Sequence, residues 1–261
     1  MFPVVLKFAS LGSGSRGNAT LIQAGDTCLL LDSGFSLREL QQRLARLELT
    51  PDDLDAVLVT HEHGDHIKGV GPLARKYRMP VWMTHGTWRN ANCGDIPELQ
   101  LFGSHTPPFS IGDIEVAPFA VPHDAREPTQ FTFSYRKLKL GILTDAGSFT
   151  PHVIASITGV DALLLECNHD VQMLQDGPYP PRLQERVGGN YGHLSNDQAA
   201  QVLAQIDHGR LQHLVIGHVS EKNNSPDLAR RTLAGVCESL DARLSVLEQG
   251  NVSGWFCMNP D

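Results

Sequence analysis

The chain has 261 residues, 41% of them hydrophobic and 19% charged, enough for one large α/β domain with its own core. Its formal net charge of −8 argues against a surface that grips nucleic acid by charge alone, although metal ions and a local arginine cluster could neutralise phosphates. Five cysteines (Cys28, Cys93, Cys167, Cys237 and Cys257) with no Cys-x-x-Cys pair exclude a disulfide framework or a structural zinc knuckle.

Residues 4–11, 18–24 and 27–31 read as three consecutive strands, the last two joined by a Gly25-Asp26 turn. The opening apolar run is too short for a signal sequence and is broken by Lys7, and no later run reaches membrane-spanning length. A cytoplasmic protein with no membrane engagement is therefore expected. Ser36 and Glu39 have capping-box spacing, which starts a helix running to about residue 47. The β-branched run 56–60 reads as a buried strand, 67–77 as a helix and 81–84 as a short strand. Residues 109–121 and 129–144 form a long antiparallel stretch, with Lys137 and Lys139 at an exposed turn or edge. A helix over 151–157, a doubly buried strand over 162–166 and an irregular loop over 176–191 follow. The Ser195 to Gln198 spacing opens a helix to about residue 206, before a strand at 214–217, a helix at 226–240 and a last strand at 244–247.

The densest chemical signal is His61-Glu62-His63-Gly64-Asp65-His66, directly after the strand 56–60. His61 and His63 are two apart, so on an extended backbone their rings leave on one face. Gly64 is expected to let the chain turn tightly, so that Asp65 and His66 reach a second point nearby. That pattern suits two metal ions side by side. A turn after the C-terminal end of a strand is also where α/β proteins place their sites.

Leu30-Leu31-Asp32-Ser33-Gly34, Thr60 to His66, Val121-Pro122-His123, Leu143-Thr144-Asp145-Ala146-Gly147 and Ile216-Gly217-His218 resemble the five ordered motifs of the metallo-β-lactamase fold. Residues 11–18, 166–170, 192–196 and 218–224 resemble its YycJ/VicX (WalJ) branch. The resemblance implies an αββα sandwich of two mixed sheets between helices, spanning residues 1–261 with no inserted cap domain. It implies that His61, His63 and His123 hold one metal, that Asp65, His66 and His218 hold a second, and that Asp145 bridges them. Imidazole and carboxylate ligands suit Zn²⁺, and also Mn²⁺ or Fe²⁺. Asp32 is expected to orient a ligand histidine or the turn that carries the motif.

His193, in a Gly-His-x-Ser context, matches the proton donor of the phosphodiesterase branches, and Glu166 matches the carboxylate that assists it. A carboxylate there would fix the tautomer of the imidazole and favour its protonated form. Asn18 and Arg16 in the glycine-rich turn, His169 with Asn168, and Arg182 with Arg186 are candidate substrate contacts; the two last could clamp a phosphate if their segment is helical. The implied activity is a dinuclear phosphodiesterase or nuclease, a 5′→3′ exodeoxyribonuclease acting on DNA, with a metal-bridging hydroxide as nucleophile, Asp65 positioning it and His193 as general acid. The alternative is hydrolysis of a carboxylic ester, thioester or lactone on the same metals, in which Glu166 and His193 would be incidental. Oligomeric state is open.

Overall fold

A computed structural model describes residues 5–236 and 238–260, so Val4 at the start of the first expected strand, and Cys237, lie outside the described residues. Strands β1 (Leu6–Gly12), β2 (Ala19–Ala24) and β3 (Thr27–Leu31) run antiparallel, and β4 (Ala56–Leu58), β5 (Val81–Thr84) and β6 (Leu99–Phe102) add in parallel. A second sheet opens with β7 (Phe109–Ile111), β8 (Ile114–Ala120), β9 (Thr129–Tyr135) and β10 (Leu138–Leu143), all antiparallel. It continues in parallel through β11 (Ala162–Glu166), β12 (His213–Gly217) and β13 (Leu244–Val246). The chain then returns as β14 (Phe256–Met258) to pair with β1, giving two seven-stranded sheets.

The helices are α1 (Leu37–Ala45), α2 (Gly64–Ile67), α3 (Val70–Tyr77), α4 (His85–Asn90), α5 (Pro151–Ile157), α6 (Val171–Asp176), α7 (Pro181–Val187), α8 (Asn196–Gln205) and α9 (Pro226–Ala234). Both capping signals act. Ser36 accepts the Glu39 N–H, and Ser195 and Gln198 exchange both bonds of a capping box.

The sheets meet face to face, with Phe8, Leu29 and Leu31 against Phe131, Phe133 and Ile142. The outer face of the first sheet packs on α1 and α3 through Leu40, Leu44 and Leu73. That of the second packs under α5, α8 and α9 through Val153, Leu203 and Leu233. This is the four-layer αββα arrangement that the resemblance implies. Strand β11 is apolar up to Glu166 because both of its faces are covered.

Several boundaries differ from the sequence expectation. The stretch 109–121 is a hairpin turned at Gly112-Asp113, and the helix expected over 226–240 stops at Ala234, before a short 3₁₀ turn at Glu238–Arg243. Lys137 occupies the expected turn, but Lys139 lies within β10, half-buried, and its Nζ donates to the Ser156 carbonyl. The loop expected over 176–191 holds α7, whose Pro181 suits a first helical position. The strand over 244–247 is not the last, because β14 follows. The short elements β6, β14, α4 and α6 carry too few residues to show a hydrophobic period.

No helix of the described residues is long and apolar enough to cross a membrane. Cys28, Cys93 and Cys167 are free and buried, while Cys257 is exposed. Burial pushes the Cys28 thiol up to about 12 and that of Cys167 well above its ordinary value. Brief alkylation of native protein by iodoacetamide at pH 8 is therefore expected to mark Cys257 before Cys28 and Cys167, which react only after denaturation. Peptide mass mapping checks this; early labelling of Cys167 would contradict the packing.

Candidate metal centre

Strand ends bring the site together. Asp32 follows β3, Thr60 and His61 lie just beyond β4, Asp145 lies just beyond β10, Glu166 ends β11 and His218 follows β12. Asp32, Asp145 and His218 have φ of 61°, 51° and 51°, in the left-handed region that non-glycine residues seldom occupy. Each such residue costs roughly 1–3 kcal/mol unless its surroundings compensate. Three of them, at the ends of β3 in one sheet and of β10 and β12 in the other, mark where the scaffold is strained to aim side chains.

Hydrogen-bond partners set the histidine tautomers. The Thr60 hydroxyl donates to Asp32 Oδ2 (2.9 Å) and accepts from His61 Nδ1 (2.9 Å). Asp32 Oδ2 also accepts from His66 Nδ1 (2.8 Å), and Asp32 Oδ1 from the Thr60 N–H (2.8 Å). The Gly192 carbonyl accepts from His123 Nδ1 (3.0 Å). With Nδ1 carrying the proton in each, Nε2 of neutral His61, His66 and His123 presents a lone pair. Asp32 thus bonds both His66 and the Thr60 that opens the motif. Thr60 and the Gly192 carbonyl were missed, although Thr60 stands directly before the motif.

The free nitrogens converge. His61 Nε2 and His123 Nε2 lie 3.1 and 3.2 Å from His63 Nδ1. One proton cannot bridge three lone pairs. A tetrahedral Zn²⁺ with bonds of about 2.0–2.1 Å would space such nitrogens by about 3.3 Å, so the residues fit a cation. Two more groups have ligand atoms all within 4.8 Å of one another: His61, His66 and Asp145, and Asp145, Glu166, His193 and His218. Asp145 belongs to both, and its buried Oδ2 has no hydrogen-bond partner. His218 Nδ1 lies 3.0 Å from Asp145 Oδ1 and 3.2 Å from Glu166 Oε1, yet is aligned to bond neither.

The field at this point is that of a cation site. Burial alone would lower the pKa of His66, but Asp145, Asp32 and Asp65 raise it well above the ordinary value. His218 behaves likewise: burial is outweighed by Asp145 and Glu166, and the pKa stands at about 10. On the other side, burial and the neighbouring His66 hold His61 well below its ordinary value. Asp145 stays well below the usual carboxylate range, because His218 and His66 overcome its burial.

Asp65 stands slightly apart. Its carboxylate is 3.6 Å from His66 Nε2 and lines the open cleft. Asn18 braces it from behind, donating to the Asp65 carbonyl while its amide lies 3.0 Å from His66 Nε2, so Asn18 supports the metal turn instead of facing the cleft. Glu62 points elsewhere and accepts the Arg126 N–H. Gly64 does not act as expected: it begins α2 without a positive φ, and a Cβ there would meet nothing. The required glycine is Gly34, where a Cβ would sit 1.7 Å from the Asp65 carbonyl oxygen.

Glu166 is fully buried. Its Oε1 accepts from His193 Nδ1 (2.7 Å), and its Oε2 from the Ala146 and Leu194 N–H groups. Burial would raise its pKa, but the charge and bond of His193, with His218, hold it at about 2. With Nδ1 so held, His193 lines a cleft of about 370 Å³.

Arg186 lines that cleft from α7 and pairs with Asp124, which approaches His63 and His123 at 3.7 and 3.5 Å. Arg182 shares the helix, as the clamp required, but does not line the cleft. Arg16 pairs with Glu221 at the surface. His169 is buried and lines a separate groove beside Gly188, whereas Asn168 lines the cleft and bonds the His218 carbonyl.

A family model described as "Beta-lactamase superfamily domain" matches residues 27–216. The chain is 39% identical over 236 residues to "Exodeoxyribonuclease YycJ" of Bacillus anthracis, covering 89% of each. It is 34% identical over 253 residues to "Exodeoxyribonuclease WalJ" of Streptococcus pneumoniae, covering 94% of this chain and 93% of that one. Its fold is similar to that of the metallo-β-lactamase fold protein YhfI from Bacillus subtilis, with a TM-score of 0.73 at 17% identity, covering 95% of this chain and 99% of that one.

Proposed function

We propose a function from one premise: the chain belongs to the β-lactamase superfamily, in the metallo-β-lactamase-fold branch that holds the YycJ and WalJ proteins. It is a metal-dependent nuclease, and specifically a 5′→3′ exodeoxyribonuclease working in the cytoplasm on DNA, with residues 1–261 forming one catalytic domain without an inserted cap. The observation that carries this assignment is the Glu166–His193 pair set against the metal-ligand cluster. A thiolate can leave an acyl carbon without a proton, whereas a deoxyribose oxygen leaving from phosphorus needs one.

His61, His63 and His123 would hold one divalent cation, Asp65, His66 and His218 the other, and Asp145 would lie between them, with Zn²⁺, Mn²⁺ and Fe²⁺ all suited to these donors. Bound there, the cations supply Lewis acidity and an activated water at neutral pH. The protein does the remainder. Asp32 and Thr60 keep the ligand lone pairs directed inward. Asp65 positions the nucleophile from the cleft side. Glu166 holds His193 by Nδ1, and the proton at Nε2 passes to the leaving oxygen. The net charge of −8 accords with a substrate captured at this centre instead of along a basic surface.

Elemental analysis after gentle purification is expected to find two transition-metal ions per chain, and a chelator to abolish activity that Zn²⁺ or Mn²⁺ restores. The reconstituted protein should shorten 5′-labelled single- or double-stranded DNA from that end. Turnover of a thioester panel without cleavage of any nucleic acid would refute the nuclease assignment.

A further inference from the structure

Among the described residues the exposed large hydrophobic side chains are Leu101, Val171 and Tyr191. Leu101 lies on the edge strand β6 and Val171 begins α6. Tyr191, 65% exposed, stands two residues before His193. Its backbone is pinned on both sides. The Tyr191 carbonyl accepts the Asp124 N–H (2.9 Å), the Asn190 carbonyl accepts the Ser148 hydroxyl (3.1 Å), and the His193 N–H reaches the Val187 carbonyl (2.9 Å). Gly147 approaches so closely that a Cβ there would lie 2.5 Å from the Tyr191 nitrogen. The loops after His123 and Asp145 therefore hold this segment against the metal cluster. The ring itself makes no aromatic stack or hydrogen bond among the described residues. A flat apolar ring on a fixed support is pre-organised for a partner that brings its own π-face.

The cleft lined by the neighbouring Gly192 and His193 has matching chemistry. Tyr179, Leu183 and Val187 line the cleft beside Arg186, and Lys222 Nζ lies 5.6 Å above the Tyr179 ring. Aromatic faces interleaved with cations are what single-stranded nucleic acid stacks on and neutralises its phosphates with.

We infer that Tyr191, exposed beside the cleft-lining Gly192 and His193, and Tyr179 within the cleft, stack nucleobases of a single strand and so position the phosphodiester under His193. The inference rests on the nuclease assignment above. It explains how an acidic chain holds a polyanion: base faces supply grip where the surface charge does not.

The test uses the metal-reconstituted full chain and 5′-phosphorylated single-stranded oligonucleotides carrying a base or an abasic residue at each of the first four positions. Loss of one stacked base typically costs about 5- to 150-fold. Tyr191→Ala is expected to lower kcat/KM on the intact strand by that factor, chiefly through KM. At one position, the abasic residue should slow the wild type comparably and the variant scarcely further. Tyr191→Phe and Tyr191→Trp should restore the rate, since both keep a ring. Unchanged cleavage by Tyr191→Ala overturns the inference. Additive losses at all four positions, or failure of both aromatic replacements to rescue, overturn it too, because the residue would then act through its hydroxyl or the fold. If the wild type cleaves no nucleic acid, the nuclease assignment itself falls, and this inference with it.

Discussion

Asp145→Asn is expected to keep the fold while lowering phosphodiester cleavage by about three orders of magnitude, the loss of several kcal/mol of charge stabilisation at a metal centre. The residue is 2% exposed, has φ 51°, and joins the ligand group of His61 and His66 to that of His218. Asparagine preserves its shape and tolerates the left-handed backbone, so circular dichroism should not change. What disappears is the anion that makes this point attractive to cations. Metal content should fall below that of the wild type, and His66 and His218, now facing a neutral amide, should lose the carboxylate that raises their pKa. Full metal content with wild-type turnover would show that Asp145 neither holds nor bridges the cations.

His193→Ala should separate substrates by their leaving groups. A general acid contributes roughly 10²–10⁴-fold where the departing oxygen needs a proton, and little where it does not. Cleavage of DNA should fall by that factor, while hydrolysis of bis-p-nitrophenyl phosphate, whose leaving group departs as a stable anion, should fall far less. Glu166→Gln should cause a smaller loss in the same direction, because a neutral amide holds Nδ1 less firmly than the carboxylate now 2.7 Å away. Elemental analysis should find the metals still in place in His193→Ala. That point is demanding, since His193 Nδ1 lies only 3.6 Å from Asp145 Oδ1. Loss of a metal would make His193 a ligand, and equal losses on both substrates would make it a binding residue.

Much of this protein is legible in the chain itself. Hydrophobic runs and capping spacings locate the long strands and the helices α1 and α8, because each depends on side chains within one or two turns of one another. The motif from His61 to His66 is readable because its histidines and Asp65 are close in sequence, and the other motifs because each occupies the end of a strand whose apolar run announces it. The short edge elements β6 and β14 were not readable, since their stability comes from pairing with a neighbour and not from their own few residues.

Tertiary structure alone decided which partner each polar atom meets. Nothing in the local sequence says that Gly34 must be glycine because the Asp65 carbonyl lies against it, or that Gly64 is free of that demand. Asn18 faces the metal turn instead of the cleft, and His169 turns away from the cleft to a groove beside Gly188. The Gly192 carbonyl sets the tautomer of His123 across 69 residues of chain, and Thr60 with Asp32 sets those of His61 and His66. Residue types and spacing determine that a cation site exists. Its orientation and the bond that anchors His193 to Glu166 arise from strand ends brought side by side, a proximity created only when the two sheets pack.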